Sequence, residues 1–204
     1  MKKTILLAAI AAHTISLYGQ VTQTDWNLVD PERDDREVPC MVWYPAEPLG
    51  PYPAVVFAHG FVMAPDDYEG LAEALVEAGY VFVSIGTEQG FMPSHEAYGQ
   101  DLAFVAQEIT TNAVGGVLDG AFDGRIAIGG HSMGGGASWL SVESNPLVDA
   151  YVVFAPAETN PSAISAGALI EAPAMVVSGA DDAVTPPATQ HEPIYEAAVN
   201  SPCR

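Results

Sequence analysis

The amino-acid sequence predicts an α/β fold whose central sheet is mostly parallel and carries helices on both faces. The first observation is that apolar runs of strand length alternate along the chain with segments of helical periodicity. The second is that Ala54–Ala58 is continuously apolar, which is typical of a strand covered on both faces. The third is a glycine-rich turn, Gly130–Gly136, that follows one strand-like run and precedes a helical segment.

Six strands are predicted from apolar runs bounded by turn residues. Pro45 ends the first of them because proline has no backbone N–H for the ladder of hydrogen bonds. Residues 48–53, rich in proline and glycine, form the predicted turn before the second. The predicted strands are Val38–Tyr44, Ala54–Ala58, Tyr80–Ile85, Arg125–Gly129, Tyr151–Phe154 and Ala174–Val177.

Four helices are predicted between or after these strands. In the first, apolar residues recur at helical spacing with acidic residues elsewhere, and Gly79 provides a natural end. The predicted helices are Asp66–Ala78, Tyr98–Ile109, Ala137–Val142 and Glu192–Val199. No repeat and no domain-dividing linker is visible in the sequence, so residues 21–204 are predicted to form one domain.

The first 20 residues have the pattern of an export signal. Lys2 and Lys3 precede a mainly apolar run, Thr4–Leu17, and the small Gly19 lies near a possible cleavage point. The alternative is a membrane anchor, but the run is short for a bilayer span. We therefore expect residues 1–20 to be a signal peptide and the protein to be secreted or periplasmic.

Charge limits the partners that this chain can bind. The 204 residues include 26 acidic ones and six Lys or Arg, and the net charge is −20. Such a surface repels nucleic acid and anionic membranes, so we expect neither as a partner. No Cys/His cluster has metal-ligand spacing, so we expect no metal and no cofactor. We also expect a monomer.

The chain has two cysteines, Cys40 and Cys203. An exported protein meets an oxidising compartment, so a disulfide between them is allowed. Either thiol could equally be free or have another partner, and the sequence leaves this open.

The most informative segment is Gly130-His131-Ser132-Met133-Gly134, which fits G-x-S-x-G, the nucleophile elbow of serine hydrolases. A nucleophilic serine there sits on a sharp strand-to-helix turn, and the flanking glycines let neighbouring backbone pass without a Cβ clash. The predicted strand before and helix after Ser132 supply that context. The alternative is a glycine-rich turn with a buried, hydrogen-bonded serine.

Two further segments complete the predicted chemistry. His59-Gly60-Phe61 follows a strand, in the loop that supplies one oxyanion N–H; the other comes from the residue after the nucleophile. The predicted oxyanion donors are therefore the backbone N–H groups of Phe61 and Met133, and His59 is expected to make a structural hydrogen bond. After the strand Ala174–Val177, Asp182 is the predicted acid, with Asp181 as runner-up and two solvated turn aspartates as the alternative.

The elbow run Phe122–Gly136 and the acid region Pro173–Tyr195 resemble those of bacterial polyester hydrolases and cutinase-like esterases. The segment Val42–Pro45 and the loop at His59 are also similar to those of dienelactone-hydrolase-like and platelet-activating-factor-acetylhydrolase-like esterases. The resemblance covers most of residues 36–203 and implies an α/β-hydrolase fold. It implies Ser132 as nucleophile, Asp182 as acid, Phe61 and Met133 as oxyanion donors, and substrate contacts from Phe61 and Val184.

The sequence departs from this family at two places. Ala157 follows Ala155-Pro156 where polyester hydrolases usually have tryptophan, so a platform for terephthalate-like rings is missing. No histidine occupies the family position of the triad base: only His191 follows Asp182, and a histidine at a helix start is usually exposed. We therefore expect the chain to be truncated, without the last strand, the histidine loop and the last helix.

The sequence favours an exported serine carboxylesterase acting on small, aryl or polymeric esters. The alternative is a non-catalytic α/β-hydrolase-like protein, because the triad histidine is not found. A peptidase or lipase of the same fold is a weaker interpretation, since no lid-like insertion is evident between the strands at Tyr151 and Ala174.

Overall fold

A seven-stranded mixed sheet forms the centre of the structure, a computed structural model that describes residues 20–47, 50–111, 116–144 and 146–204. The strand order is β1-β2-β4-β3-β5-β6-β7. β1 pairs antiparallel with β2, and β2 with β4, whereas β4, β3, β5, β6 and β7 run parallel. The strands are β1 (Val21–Asp30), β2 (Arg36–Pro45), β3 (Tyr52–Ala58), β4 (Val81–Ile85), β5 (Phe122–His131), β6 (Ala150–Phe154) and β7 (Ala174–Val177).

Helices connect the parallel strands. They are α1 (Glu69–Glu77), α2 (His95–Thr111), α3 (Met133–Leu140), α4 (Ala163–Ala166) and α5 (His191–Ala197). Short 3-10 turns precede or extend several of them, including Pro65–Tyr68 before α1 and Ser141–Ser144 after α3. None of the helices in the described part of the chain is long and apolar enough to cross a membrane.

The predicted α/β class and all six predicted strands are confirmed, with differences at the strand ends. β1 was not predicted, because its side chains alternate between partly buried and exposed and most of them are polar. α3 begins at Met133 rather than Ala137: three glycines fill its first turn, and packing there overrides their poor helix propensity. α2 begins at His95, where Ser94 accepts a hydrogen bond from the N–H of Ala97 at 3.2 Å.

The core lies on both faces of the sheet. On one face α2 and α3 pack with fully buried side chains that include Leu102, Ile109 and Trp139. On the other face α1 buries Val76 against a smaller cluster around Phe82. Each large apolar side chain buried in this way contributes about 1.5–3 kcal/mol to the free energy of unfolding.

The parallel strands bring three loops to one edge of the sheet. Carboxyl ends of parallel strands meet at the same edge, where ligands bind in open α/β sheets. The loops after β3, β5 and β7 carry Phe61, Ser132 and Asp182, respectively. The fold therefore gathers the predicted site residues at this carboxyl edge.

Two sequence-based expectations concern other parts of the chain. The predicted signal peptide, residues 1–20, lies outside the described residues except for Gln20. Cys40 and Cys203 are both free thiols: Cys40 is buried in β2, and Cys203 is exposed near the end of the chain. Burial raises the pKa of the Cys40 thiol well above its usual range.

Candidate active site

Ser132 sits on a strained turn between β5 and α3. Its backbone has φ 55° and ψ −119°, outside the regions that non-glycine residues commonly adopt. Such a conformation costs about 1–3 kcal/mol and persists only where its surroundings hold it. Here the Ser132 N–H donates to Phe154 O at 2.9 Å, and Ser132 O accepts from the N–H of Ala157 at 2.9 Å. The end of β6 therefore anchors the turn on both sides.

The glycines two before and two after Ser132 are required by close approach of backbone. A Cβ at Gly130 would clash with the carbonyl of Gly134, and one at Gly134 would clash with the carbonyl of Ala58. This confirms the steric reason for glycine at both places in the motif. It also means that the start of α3 packs directly against the end of β3.

The loop after β3 forms a tight turn beside the elbow. The N–H of Met63 donates to Gly60 O at 3.1 Å, and Val62 within this turn has φ 56°. A Cβ built on Gly60 would lie 3.0 Å from Nδ1 of His131, so this loop and the elbow are in contact range. The predicted oxyanion donors lie one on each side of that junction. The N–H of Met133 has no partner within its own helix, because it belongs to the first turn.

His59 is structural, as predicted. The residue is fully buried, its backbone N–H donates to the Tyr98 hydroxyl at 2.7 Å, and its ring nitrogens each lie 2.8 Å from a carbonyl oxygen, those of Gly60 and Thr87. Its imidazole therefore ties the Gly60 loop to the loop after β4.

Asp182 is held by a local network at the end of β7. Its carboxylate accepts the N–H groups of Val184 at 2.8 Å and Thr185 at 2.9 Å, and the Thr185 hydroxyl at 2.9 Å. These hydrogen bonds, led by the Thr185 N–H, hold the pKa of Asp182 below its usual value. The Asp182 charge also acts on His131, the residue before the nucleophile, by opposing the lowering of its pKa that burial causes. The Asp182 carboxylate therefore lies near enough to the elbow for its charge to act on His131.

His191 is buried, whereas a histidine at a helix start was expected to be exposed. Two hydrogen bonds satisfy the buried imidazole: Nδ1 lies 2.7 Å from the Ser178 hydroxyl, and Nε2 lies 3.0 Å from the Thr185 hydroxyl. Because the Thr185 proton is given to Asp182, Nε2–H donates to Thr185 and Nδ1 accepts from Ser178. Burial lowers the pKa of His191, and the Asp182 charge opposes this.

Within the described residues, no histidine hydrogen-bonds to the Ser132 side chain. His131 Nδ1 lies 2.8 Å from the Tyr68 hydroxyl, His95 accepts the N–H of Asn160, and both nitrogens of His59 and of His191 are engaged elsewhere. The described residues also contain no group of three His, Cys, Asp or Glu side chains that could hold a metal ion.

Exposed apolar side chains surround the site. Phe61 is 50% exposed and Val184 82% exposed, and both were predicted substrate contacts. Sequence reasoning missed Phe91, which is 81% exposed in the loop after β4 and meets the Phe61 ring edge-on at 6.3 Å. The sequence signal that could have indicated this residue is Gly90-Phe91-Met92, in which an aromatic residue and a methionine lie together in the loop after a strand. Exposed apolar groups clustered in this way mark surfaces that bind other molecules.

Comparison of the sequence with known proteins identifies the family that this chain matches. Residues 38–202 match the family described as PET hydrolase-like. The chain is 28% identical over 162 residues to a bis(hydroxyethyl) terephthalate hydrolase of Streptomyces coelicolor. It is 24% identical over 160 residues to a cutinase of Thermobifida alba and, over the same length, to one of Thermobifida fusca.

The aligned regions cover 78% of this chain but only 50%, 52% and 51% of the three relatives, respectively. The chain thus spans about half the length of the curated relatives it matches. The family match agrees with the resemblance drawn from the elbow and the acid loop, and with the mostly parallel sheet.

Proposed function

This chain belongs to the PET hydrolase-like family, which has the α/β-hydrolase fold, and we propose that it is a serine carboxylic-ester hydrolase. The observation that carries the proposal is Ser132, held at φ 55° on a strand-to-helix turn whose flanking glycines allow no side chain. Strain of this kind clusters at functional sites, because only a surrounding structure built to hold it makes it persist.

In the proposed reaction, Ser132 Oγ attacks the ester carbonyl and the carbonyl oxygen becomes an oxyanion. The N–H groups of Phe61 and Met133 donate to that oxyanion, and each such donor can be worth about 3 kcal/mol of barrier. The tetrahedral adduct expels the alcohol and leaves an acyl-enzyme, which water then hydrolyses back to free Ser132. A base takes the Ser132 hydroxyl proton as Oγ attacks and gives it to the departing alkoxide; it then takes a proton from the attacking water and returns it to Ser132 Oγ. Asp182 is proposed as the carboxylate that orients this base, whose position no described histidine occupies.

Esters with an apolar or aryl acyl group are the proposed substrates. Phe61 and Val184 supply exposed apolar surface, and Phe91 extends it. The net charge of −20 disfavours anionic substrates, so neutral esters are favoured. Polymeric esters are included, because the relatives named above are a terephthalate-ester hydrolase and cutinases. Ala157 offers no aromatic ring beside the elbow, so polyester is expected to be a poorer substrate than a small ester.

We further propose that the protein is exported to the periplasm or the medium and acts as a monomer without a cofactor. The support is the pattern of residues 1–20 and the strong negative charge, which opposes self-association.

The experiment that tests the nucleophile is covalent labelling of the full-length protein by a fluorophosphonate probe, with the modified peptide identified by mass spectrometry. Wild type is expected to carry the label on Ser132, and Ser132→Ala to carry none and to lose at least about 10⁴-fold in kcat on p-nitrophenyl butyrate. Ser165→Ala, on a short helix away from the elbow, serves as the control and should label normally. An unlabelled wild type would favour the second candidate, a non-catalytic binding protein of this fold. The observation behind that candidate is that no histidine in the described part of the chain hydrogen-bonds to the Ser132 hydroxyl.

A further inference from the structure

The Tyr68 hydroxyl links the two halves of the proposed oxyanion site. It accepts the backbone N–H of Gly60 at 2.9 Å, and it lies 2.8 Å from Nδ1 of His131. Gly60 directly precedes one proposed donor, Phe61, and His131 directly precedes Ser132. One phenol therefore contacts both segments that must be aligned.

The protons of this network can be assigned. The Tyr68 oxygen has a single proton, and its two possible acceptors are His131 Nδ1 and Met63 Sδ, which lies 3.2 Å away. Burial keeps the pKa of His131 below its usual value, so the imidazole is neutral at pH 7 and its nitrogen is the stronger acceptor. Burial also raises the pKa of Tyr68 to about 12, so the phenol keeps its proton at any physiological pH.

The hydroxyl is itself fixed by the core. The Tyr68 ring packs on Phe57, with ring centroids 4.8 Å apart, and Phe57 is fully buried on the α1 face of the sheet. Both backbone hydrogen-bonding groups of Gly60 are thus held, on the peptide units before and after its Cα. The N–H of Gly60 bonds to Tyr68, and the carbonyl of Gly60 accepts the N–H of Met63. The bond to the Gly60 carbonyl holds the peptide unit that carries the Phe61 N–H, and the bond to Tyr68 holds the peptide unit before it. Together they limit the direction in which the Phe61 N–H points.

We propose that Tyr68 is a positioning residue that aligns the Phe61 N–H with the Ser132 elbow by bridging Gly60 and His131. The inference rests on the proposed ester hydrolysis, because it gives Tyr68 a part in that reaction. A misplacement of about 1 Å at a catalytic group can cost about 100-fold in rate, so a loosened Gly60 loop lowers kcat. Ester binding depends on apolar side chains, including the Phe61 ring, whereas the Phe61 N–H acts on the oxyanion of the transition state, so KM should change little.

The test compares wild type, Tyr68→Phe and the control Tyr80→Phe in the full chain. Tyr80 lies at the opposite edge of the sheet, at the start of β4, and undergoes the same chemical change. For Tyr68→Phe we expect kcat on p-nitrophenyl butyrate to fall about 10- to 100-fold while KM stays within about twofold. Inhibition by a trifluoromethyl ketone, which forms a tetrahedral adduct, should weaken by the same factor. The melting temperature should stay near that of Tyr80→Phe.

A kcat for Tyr68→Phe within about twofold of wild type would overturn the inference. So would a loss in kcat matched by a rise in KM with ketone inhibition unchanged, because that pattern indicates general loosening. A wild type without turnover would refute the proposed function instead. The bridge is then judged by NMR: the Gly60 amide and His131 Nδ1 resonances should both shift in Tyr68→Phe, and unchanged resonances would refute it.

Discussion

Four non-glycine residues that follow strands at the carboxyl edge have a positive φ, a conformation that suits glycine: Val62, Glu88, Ser132 and Ala155. Ser132 has φ 55° on the elbow, and Val62 has φ 56° in the turn between Gly60 and Met63. Val62 is the more unusual of the two, because a β-branched residue is strained in this region. Val62 and Ser132 lie on the two segments that Tyr68 bridges, so the candidate site lies where the backbone is strained.

The strain at Val62 can be tested without touching the chemistry of the site. Asn tolerates positive φ far better than Val, so Val62→Asn should raise the free energy of unfolding by about 1 kcal/mol. Val199→Asn, at an exposed position with ordinary φ, is the control and should have little effect. Urea denaturation measures both; equal values for the two variants would mean that the turn carries no strain.

At the residue scale, the sequence indicated candidate residues where the proposed chemistry demands a particular residue type. Ser132 and Asp182 were identified because a nucleophile elbow and an acid after a strand have fixed local patterns. Tyr68 and Phe91 were missed, because each acquires its role from a contact with a distant segment: Tyr68 with His131 across 63 positions, and Phe91 with Phe61 across a helix and a strand. No local spacing encodes such a contact.

At the scale of elements, a buried carboxylate joins the antiparallel and parallel parts of the sheet. Asp101, on α2 and fully buried, accepts two hydrogen bonds from Arg36 at 2.8 and 2.7 Å and one from the Thr87 hydroxyl at 2.6 Å. Arg33 lies 2.7 Å from the same carboxylate. The hydrogen bonds from Arg36 to Asp101 raise the pKa of Arg36, against the effect of burial. The turn between β1 and β2, the end of β4 and the start of α2 thus share one charge centre.

Removal of this carboxylate should loosen all three elements together. Asp101→Ala leaves Arg33 with Asp30 and Arg36 with Glu88 as their remaining ion-pair partners and removes the buried carboxylate that both share. Breaking a buried pair of this kind costs about 3 kcal/mol of the free energy of unfolding. Asp119→Ala removes the same charge from an exposed position and should change it by less than about 0.5 kcal/mol. Denaturation in urea distinguishes them, and similar losses in both variants would contradict the structural role of Asp101.

The acid loop and α5 are coupled through His191, whose pKa lies below its usual value of 6.5 because of burial. The unfolded chain therefore binds a proton more readily than the folded one, so the contribution of His191 is complete above pH 6.5 and decreases as pH falls below it. Between pH 7.5 and 5.5 the free energy of unfolding of wild type should fall more steeply than that of His191→Gln. His95→Gln keeps His191 and should follow wild type; identical slopes for His191→Gln and wild type would be inconsistent with this coupling.

The sequence predicted elements best where a strand is buried on both faces. β3 and β4 were found because mainly apolar runs of strand length, rich in β-branched and aromatic residues, favour a strand over a helical segment. β1 was not found: its ten residues pair with β2 along their whole length, but six of them are polar and the apolar ones follow no strict alternation. Pairing between segments, like the contacts of Tyr68, is information that a local pattern lacks.

At the scale of the whole molecule, negative charge dominates. A net charge of −20 on 204 residues creates self-repulsion that opposes the compact state. Two of its few cations, Arg33 and Arg36, are gathered at Asp101. Most of the acidic surface is therefore left without neighbouring positive charge.

Salt should stabilise this protein. The distance over which surface charges interact, the Debye length, is about 30 Å at 0.01 M salt but only about 3 Å near 1 M. Added NaCl therefore weakens the repulsion between surface carboxylates. The melting temperature should rise by about 3–5 °C between 10 mM and 0.5 M NaCl, since repulsion is spread over the surface while the Asp101 pairs are buried. Calorimetry at four salt concentrations measures this, and a melting temperature that falls with salt would show that ion pairs outweigh repulsion.

The strained elbow has a consequence for laboratory evolution of this protein. Glycine relaxes a positive φ, so a chain with glycine in place of Ser132 is expected to be more thermostable than wild type while lacking the proposed nucleophile. A screen that selects for thermostability alone would therefore enrich inactive variants substituted at position 132. Selection for robustness in this scaffold has to be linked to turnover at every round.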